Sequence, residues 1–220
     1  MYSTNQFFLP LRMGDAMPER AGFHFEHVGT DACQLSPLVL LHGSGSSETF
    51  LMDFARRIAP ERAAFALRGP VPWEGGFAFF RRNADRTLDQ NDLIARCTEF
   101  CGFLEHLSAS GHRRPLMIGY SNGAIIAAAT AVRAPELSSG SILLRPLSPF
   151  AEGGFPPLHG YPTLLLAGVT DQRRQPSDMP HLAKQFRQAG ALVTTHVLPT
   201  GHGLEETDQQ LSREWLAGRA

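Results

Sequence analysis

The chain has 220 residues and a formal net charge of −1, with 43% hydrophobic and 19% charged residues. That balance is typical of a globular domain with a sizeable core, and it gives no reason to expect a nucleic acid or an acidic membrane surface as a partner. Three cysteines, Cys33, Cys97 and Cys101, form no disulfide framework. Cys97 and Cys101 lie four residues apart on a predicted helix and favour core packing over a metal site. No stretch resembles a signal peptide or a membrane span, so we expect a cytoplasmic protein without stable membrane insertion.

Short apolar runs alternate with amphipathic stretches along the chain. Two N-terminal runs, FFLPL (7–11) and FHFEHV (23–28), predict a hairpin. The later apolar runs predict strands over 37–43, 62–70, 115–121, 140–149, 161–171 and 191–199. The amphipathic stretches predict helices over 48–59, 88–111, 122–135, 179–190 and 204–218. This alternation indicates one α/β domain over residues 1–220, with a mostly parallel central sheet and helices on both faces.

Three polar residues with complementary chemistry follow predicted strands. Ser121 stands between two glycines in MIGYSNGAIIAAA, Asp171 follows LLLAGVT, and His202 lies in PTGHG. Ligands of parallel sheets bind beyond the carboxyl ends of the strands, where these residues would meet. A serine hydroxyl needs an adjacent base, histidine suits that role, and a carboxylate orients the histidine. The order Ser, Asp, His around a G-x-S-x-G turn is the one expected of an α/β-hydrolase fold, so these three are the predicted catalytic residues.

The backbone around two loops predicts an oxyanion hole. One N–H should come from Asn122, directly after the serine, and the other from Ser44 in the loop LLHGSGSSE. With a backbone role alone, replacing Asn122 by alanine is expected to cost little. The HGSG stretch also resembles a phosphate-binding loop, but the G-x-x-x-x-G-K spacing is missing.

A group of aromatic residues leaves two interpretations open. Trp73, Phe77, Phe79 and Phe80 follow a predicted strand end, where they form either ordinary core or the wall of an acyl or aromatic pocket. His42 lies beside the oxyanion loop, and its favoured role is to hydrogen-bond the backbone of that loop. These five residues are the candidate substrate-pocket set.

The motifs LLHGSGSSE, IGYSNGA, AGVTDQRRQP and GHGL resemble the phospholipase/carboxylesterase family of small α/β-hydrolases, which includes the acyl-protein thioesterases. The likeness covers residues 37 to 217. The block LRGPVPWEGGFAFFRR, followed by DLIARCTEF, is similar to a bacterial carboxylesterase branch of that family. The resemblance implies a serine esterase without cofactor, with Ser121, Asp171 and His202 as the triad and Ser44 and Asn122 as oxyanion donors. It also implies a homodimer.

Two departures from the family pattern shape the functional hypothesis. Asn122 follows the serine where thioesterases typically carry GFSQGG, which weakens the transfer of thioesterase specificity. Only residues 150–160 separate LLRPLSP from YPTLLLAG, so no large lid domain is expected and the site should be open. We therefore expect a carboxylesterase that acts on small-molecule esters with short to medium acyl chains. The alternatives are an acyl thioesterase or lysophospholipase and, in another class, a non-catalytic α/β-hydrolase-like binding protein.

Overall fold

A computed structural model describes residues 23–29, 35–150 and 153–219. Within these ranges a central sheet has the strand order β1-β3-β2-β6-β7-β8-β9, with β1 antiparallel to β3 and every other pair parallel. The mostly parallel sheet was predicted. The first strand of the predicted N-terminal hairpin, residues 7–11, lies outside the described residues, as does Cys33. The strands are β1 Phe25–Val28, β2 Leu38–Leu41, β3 Ala64–Leu67, β6 Leu116–Tyr120, β7 Gly140–Leu144, β8 Pro162–Gly168 and β9 Leu192–Leu198.

Helices cover both faces of this sheet, as the sequence predicted. Side chains of α2, α3 and α4 pack with one face in a large core cluster, and side chains of α1 and α5 pack with the other face. Strand β2 serves both cores, since Val39 contributes to the first cluster and Leu40 to the second. The helices are α1 Met52–Ile58, α2 Gln90–Ala109, α3 Asn122–Arg133, α4 Asp178–Gln188 and α5 Glu206–Ala217.

Local polar signals set where some of these helices begin. The Asp89 carboxylate accepts the backbone N–H of Asp92 at 3.1 Å and caps α2. Helix α5 begins with a capping box between Glu205 and Asp208. Cys97 is buried between α2 and α3, with its Sγ atom 3.4 Å from the Thr130 hydroxyl, in agreement with the predicted core role. No helix in the described ranges is long and apolar enough to cross a membrane.

The aromatic block, which the sequence pattern could not assign, forms a two-stranded hairpin outside the main sheet. Strand β4 (Val71–Trp73) pairs antiparallel with β5 (Gly76–Ala78). The hairpin is tied to the loop after β2, because the Phe77 carbonyl accepts the Gly45 N–H at 3.0 Å and the Phe77 N–H donates to Ser46 at 2.8 Å. The described part of the connection between β7 and β8 contains no helix or strand, so the described residues form no lid domain over this end of the sheet.

Candidate active site

Ser121 occupies the single residue between β6 and α3. Its backbone has φ 53° and ψ −105°, a conformation that is strained for a residue with a side chain. Two backbone hydrogen bonds maintain this conformation. The Ser121 N–H donates to the Leu144 carbonyl on β7 at 2.9 Å, and the Ser121 carbonyl accepts the Ile125 N–H at 3.2 Å. Because both neighbours are regular elements, this turn projects the serine hydroxyl beyond the carboxyl end of the sheet.

The two glycines that flank the serine are required by close packing of the backbone. A Cβ atom on Gly119 would lie 2.4 Å from the Gly123 carbonyl oxygen, and one on Gly123 would lie 2.0 Å from the Leu41 carbonyl oxygen. No side chain fits at these distances without movement of strand β2 or helix α3. The crowding expected at both positions is therefore present.

The structure brings together the three predicted catalytic residues. The Ser121 Oγ lies 3.0 Å from Nε2 of His202, and Nδ1 of His202 lies 2.7 Å from Oδ2 of Asp171. Asp171 follows β8, and its Oδ1 accepts the Arg173 N–H at 2.8 Å, which fixes the carboxylate behind the histidine. These contacts arise because the carboxyl ends of β6, β8 and β9 meet at one edge of the sheet.

The surroundings of His202 favour a neutral imidazole. When Nδ1 donates its hydrogen to Asp171, Nε2 remains free to accept the Ser121 hydroxyl hydrogen. Burial lowers the pKa of His202 below its ordinary value of 6.5, and the charges of Arg174 and Arg173 lower it further, although Asp171 acts in the opposite direction. The ring therefore stays neutral to a lower pH than an ordinary histidine would, and the neutral ring is the state that a general base requires.

The two predicted oxyanion donors lie near the serine. Asn122 is the first residue of α3, so its backbone N–H has no partner within that helix. Ser44 lines the same cleft as Ser121, in the loop after β2. The Gly123 N–H donates to the His42 carbonyl at 3.1 Å, which joins this loop to the start of α3.

The Asn122 side chain has a role that sequence reasoning missed. It is 1% exposed, its Oδ1 accepts the Phe79 N–H at 2.8 Å, and its Nδ2 donates to the Phe80 carbonyl at 3.4 Å. A small cost of replacing Asn122 was expected only if its backbone alone has a role, and that condition does not hold, since the side chain anchors the segment that follows β5. No signal in the sequence could have shown this, because nothing placed that segment near α3.

His42 lies beneath the cleft and not in its wall. Its Nδ1 donates to the Gly43 carbonyl at 2.7 Å, and its Nε2 accepts the Gly69 N–H at 3.0 Å. The bond from Gly69 needs the neutral ring, and burial lowers the pKa of His42, although the hydrogen bond to Gly43 acts in the opposite direction. The predicted hydrogen bond to the oxyanion loop is present. The inclusion of His42 among pocket residues is corrected, because its ring is buried against Phe79 at a centroid distance of 4.9 Å.

A cleft of about 410 Å³ opens beside Ser121, and the aromatic pocket prediction is largely wrong for it. Trp73 lines the cleft, but Phe79 and Phe80 are fully buried in the core. Phe77 does not line the cleft. It packs under the Arg68 guanidinium, whose Cζ atom lies 4.7 Å from the centroid of the Phe77 ring. The reason is that the chain turns toward the core where it leaves β5, which buries Phe79 and Phe80.

Arginine side chains, which sequence reasoning also missed, take the place of the expected aromatic wall. Arg82, Arg86, Arg173 and Arg174 line the cleft. Arg174 reaches Ser121, with its Nη2 donating to Ser121 Oγ at 3.2 Å. For three of these arginines the sequence carried a signal, the Arg-Arg dipeptides in FAFFRR and TDQRRQ. The first dipeptide directly follows the aromatic block, and the second lies two residues after Asp171.

Arg145, just after β7, holds the loop that carries His202. The side chains of Arg145 and Asp208 are both 0% exposed and form a two-pronged ion pair, with distances of 2.7 and 2.8 Å. The same guanidinium donates from Nε to the Gly201 carbonyl at 3.0 Å and from Nη2 to the Gly203 carbonyl at 2.6 Å. Because these carbonyls flank His202, Arg145 positions the histidine without contact to the reacting atoms.

Comparison with known proteins gives relatives along most of the chain. The curated Bacillus subtilis (strain 168) protein named "Putative hydrolase MhqD" is 30% identical over 194 residues, which are 86% of this chain and 96% of that protein. A solved carboxylesterase structure from Mesorhizobium loti is 33% identical, covers 92% of this chain and 97% of its own, and has a TM-score of 0.85. The Bacillus cereus carboxylesterase structure is 29% identical, covers 90% and 95%, and has the same TM-score of 0.85. The chain belongs to the carboxylesterase/phospholipase family of small α/β-hydrolases. No protein-family model matches the sequence.

Membership of the carboxylesterase/phospholipase family confirms the resemblance drawn from the sequence motifs. The parallel sheet with helices on both faces is the α/β-hydrolase fold that was predicted, and the chain is a hydrolase of this family. The motifs contain Arg82, Arg173 and Arg174, but only the structure shows that these side chains line the cleft and that Arg145 anchors the His202 loop.

Proposed function

We propose that this protein is a serine carboxylesterase that hydrolyses short- to medium-chain carboxylic esters through an acyl-enzyme. The observation that carries the proposal is the contact of 3.0 Å between the Ser121 Oγ, on its strained turn, and Nε2 of a His202 oriented by Asp171. A nucleophile, its base and the orienting carboxylate within hydrogen-bond reach are the signature of this chemistry. The related solved structures are named carboxylesterases, which supports the ester bond as the target.

The geometry translates into a two-step reaction. His202 Nε2 takes the hydroxyl proton as Ser121 Oγ attacks the ester carbonyl carbon, and the carbonyl electrons move onto its oxygen. The backbone N–H groups of Ser44 and Asn122 stabilise that oxyanion, while Asp171 stabilises the imidazolium. When the C–O bond breaks, His202 gives the proton to the departing alcohol. A water molecule, deprotonated by the same histidine, then attacks the acyl-enzyme and releases the carboxylic acid and free Ser121.

The shape of the cleft favours small substrates. It is open to solvent, and no lid domain covers it in the described part of the chain. Most of the residues that line it are polar or charged, and Trp73 and Tyr120 are its two large aromatic side chains apart from the His202 ring. A long acyl chain would find little apolar surface to bury there, so esters of short and medium acids suit it best.

The test compares Ser121→Ala with the unaltered protein on p-nitrophenyl acetate and butyrate. Removal of the nucleophile should lower kcat by a factor on the order of 10⁶. Ser110→Ala is the matched control, because Ser110 caps the far end of α2 and its hydroxyl contacts only His106 among the described residues. A fluorophosphonate should label the unaltered protein and the control at Ser121. Near-unchanged turnover in Ser121→Ala would contradict the assignment of Ser121 as the nucleophile. Absence of both turnover and label in the unaltered protein would favour the non-catalytic alternative.

Acyl-chain profiles separate the proposed activity from the thioesterase and lysophospholipase alternatives. Matched oxygen and sulfur esters of C2 to C12 acids should give the highest kcat/KM for the shorter oxygen esters. A preference of more than tenfold for long-chain thioesters or lysophospholipids would replace the carboxylesterase proposal with one of these two activities.

A further inference from the structure

The cleft beside Ser121 carries an excess of positive charge. Arg82 and Arg86 come from the segment after β5, and Arg173 and Arg174 come from the segment after β8. Glu74 also lines the cleft. Among the described residues, none of the four arginines forms an ion pair with a carboxylate, whereas the remote pair Arg145–Asp208 shows how this fold neutralises a buried arginine.

The two carboxylates whose charges act on Arg174, Asp171 and Asp178, have other hydrogen-bond partners. Asp171 accepts hydrogen bonds from His202 and from the Arg173 backbone, and Asp178 accepts the Gln175 N–H at 2.8 Å. Their charges still favour the protonated arginine, because both raise the pKa of Arg174. Neither supplies a direct partner for the guanidinium groups that face the cleft.

Arg174 is the cation closest to the chemistry, and it is held in place. Its Nε donates to the Arg145 carbonyl at 2.9 Å, and its Nη1 donates to the Arg173 carbonyl at 3.0 Å, so the guanidinium is fixed at the nucleophile. Burial, and after it the charge of Arg82, lowers the pKa of Arg174 to about 10. Two like charges thus approach each other in a partly buried cleft, an arrangement that an anion between them would relieve.

We propose that this cleft binds esters that carry a carboxylate group, a few bonds from the scissile carbonyl, with Arg82, Arg173 and Arg174 as the partners of that carboxylate. The distance of 3.2 Å between Arg174 Nη2 and Ser121 Oγ sets the short spacing between carboxylate and reacting carbon. Planar guanidinium groups match a carboxylate with two parallel hydrogen bonds. This proposal rests on the proposed esterase function.

Two pairs of matched esters test the proposal. Monoethyl succinate carries the carboxylate on the acyl side, and ethyl 4-oxopentanoate is its neutral counterpart of nearly equal shape. Acetoxyacetic acid and acetoxyacetone form the same pair on the alcohol side. At low ionic strength, kcat/KM for the charged member of at least one pair should exceed that of its neutral partner by tenfold or more. Added salt should reduce this ratio, because it screens the attraction.

Substitutions identify which arginines supply the preference. Arg82→Gln and Arg173→Gln should each lower the charged-to-neutral ratio at least threefold, chiefly through KM. Arg187→Gln removes the same charge from an exposed site on α4, where the guanidinium contacts Thr195, and should leave the ratio unchanged. Thermal melts establish that each variant is folded, and the two cleft variants come from different segments, so one failure to fold does not decide the result.

The outcomes separate this proposal from the esterase function itself. If neither member of either pair is hydrolysed and p-nitrophenyl acetate is also inert, the esterase function fails. If the neutral esters are hydrolysed in a Ser121-dependent reaction, but the charged esters show no advantage, only the carboxylate proposal is overturned. It is also overturned if the advantage is as large in Arg82→Gln and Arg173→Gln as in Arg187→Gln.

Discussion

Replacement of Arg145 by lysine should destabilise the protein and slow its reaction together. Lysine keeps the positive charge but has one ammonium group in place of the guanidinium fork. Arg145 makes four hydrogen bonds of 2.6–3.0 Å, two to Asp208 and one each to the carbonyls of Gly201 and Gly203. A single ammonium cannot reach both prongs of the carboxylate and both loop carbonyls.

The magnitude follows from the burial of the pair. If lysine loses two of the four charge-assisted hydrogen bonds at about 1.5–3 kcal/mol each, the free energy of unfolding falls by about 3–6 kcal/mol. For a domain of this size, a loss of about 3 kcal/mol corresponds to a fall in Tm of roughly 6–12 °C.

Urea unfolding and ester kinetics measure the two effects on the same samples. Arg213→Lys is the control, because Arg213 lies on α5 at the surface, donates to the Arg57 carbonyl, and should change the unfolding free energy by less than about 0.5 kcal/mol. In Arg145→Lys the rate of fluorophosphonate labelling of Ser121 should also fall, since the His202 loop loses two anchors. A loss of stability no larger than that of the control, or an unchanged labelling rate, would refute the assignment of Arg145 as a positioning residue.

Three further predictions follow from contacts at the site. Asn122→Ala should lower the unfolding free energy by about 1–3 kcal/mol, measured in urea, because it leaves a buried backbone N–H without its acceptor; a loss below about 0.5 kcal/mol would contradict this. Gly123→Ala should lower the unfolding free energy by about 1–3 kcal/mol or more, because the added Cβ overlaps strand β2. Gly102→Ala is its control, since a Cβ there, in the middle of α2, meets no atom within 4 Å, and it should raise the unfolding free energy by about 0.5–1 kcal/mol. The acidic limb of kcat/KM should lie below pH 6.5, because the pKa of His202 is lowered and its neutral form is the base. Arg173→Gln removes one lowering charge, so that limb should move to higher pH in a pH–rate profile; a move to lower pH would show the sign to be wrong.

The sequence by itself determined the fold and the placement of the predicted catalytic residues at one edge of the sheet. Apolar runs such as LVLL in β2 require burial on both faces, and their alternation with helices leaves a parallel sheet as the economical arrangement. Once the sheet is parallel, Ser121, Asp171 and His202 must meet, because each follows a strand at the same edge. Those predictions rest on periodicity and chain order, which are local properties of the sequence.

Only the tertiary structure decided which residues surround Ser121. The sequence favoured an aromatic wall as strongly as a core role for Phe79 and Phe80, and the hydrogen bonds from Asn122 fix them in the core. The arginines that line the cleft and the Arg145–Asp208 anchor likewise depend on contacts between segments far apart along the chain. Composition and periodicity indicate whether a side chain is buried. They do not indicate which distant backbone group or charged side chain it contacts, and at this site those contacts set the shape and charge of the cleft.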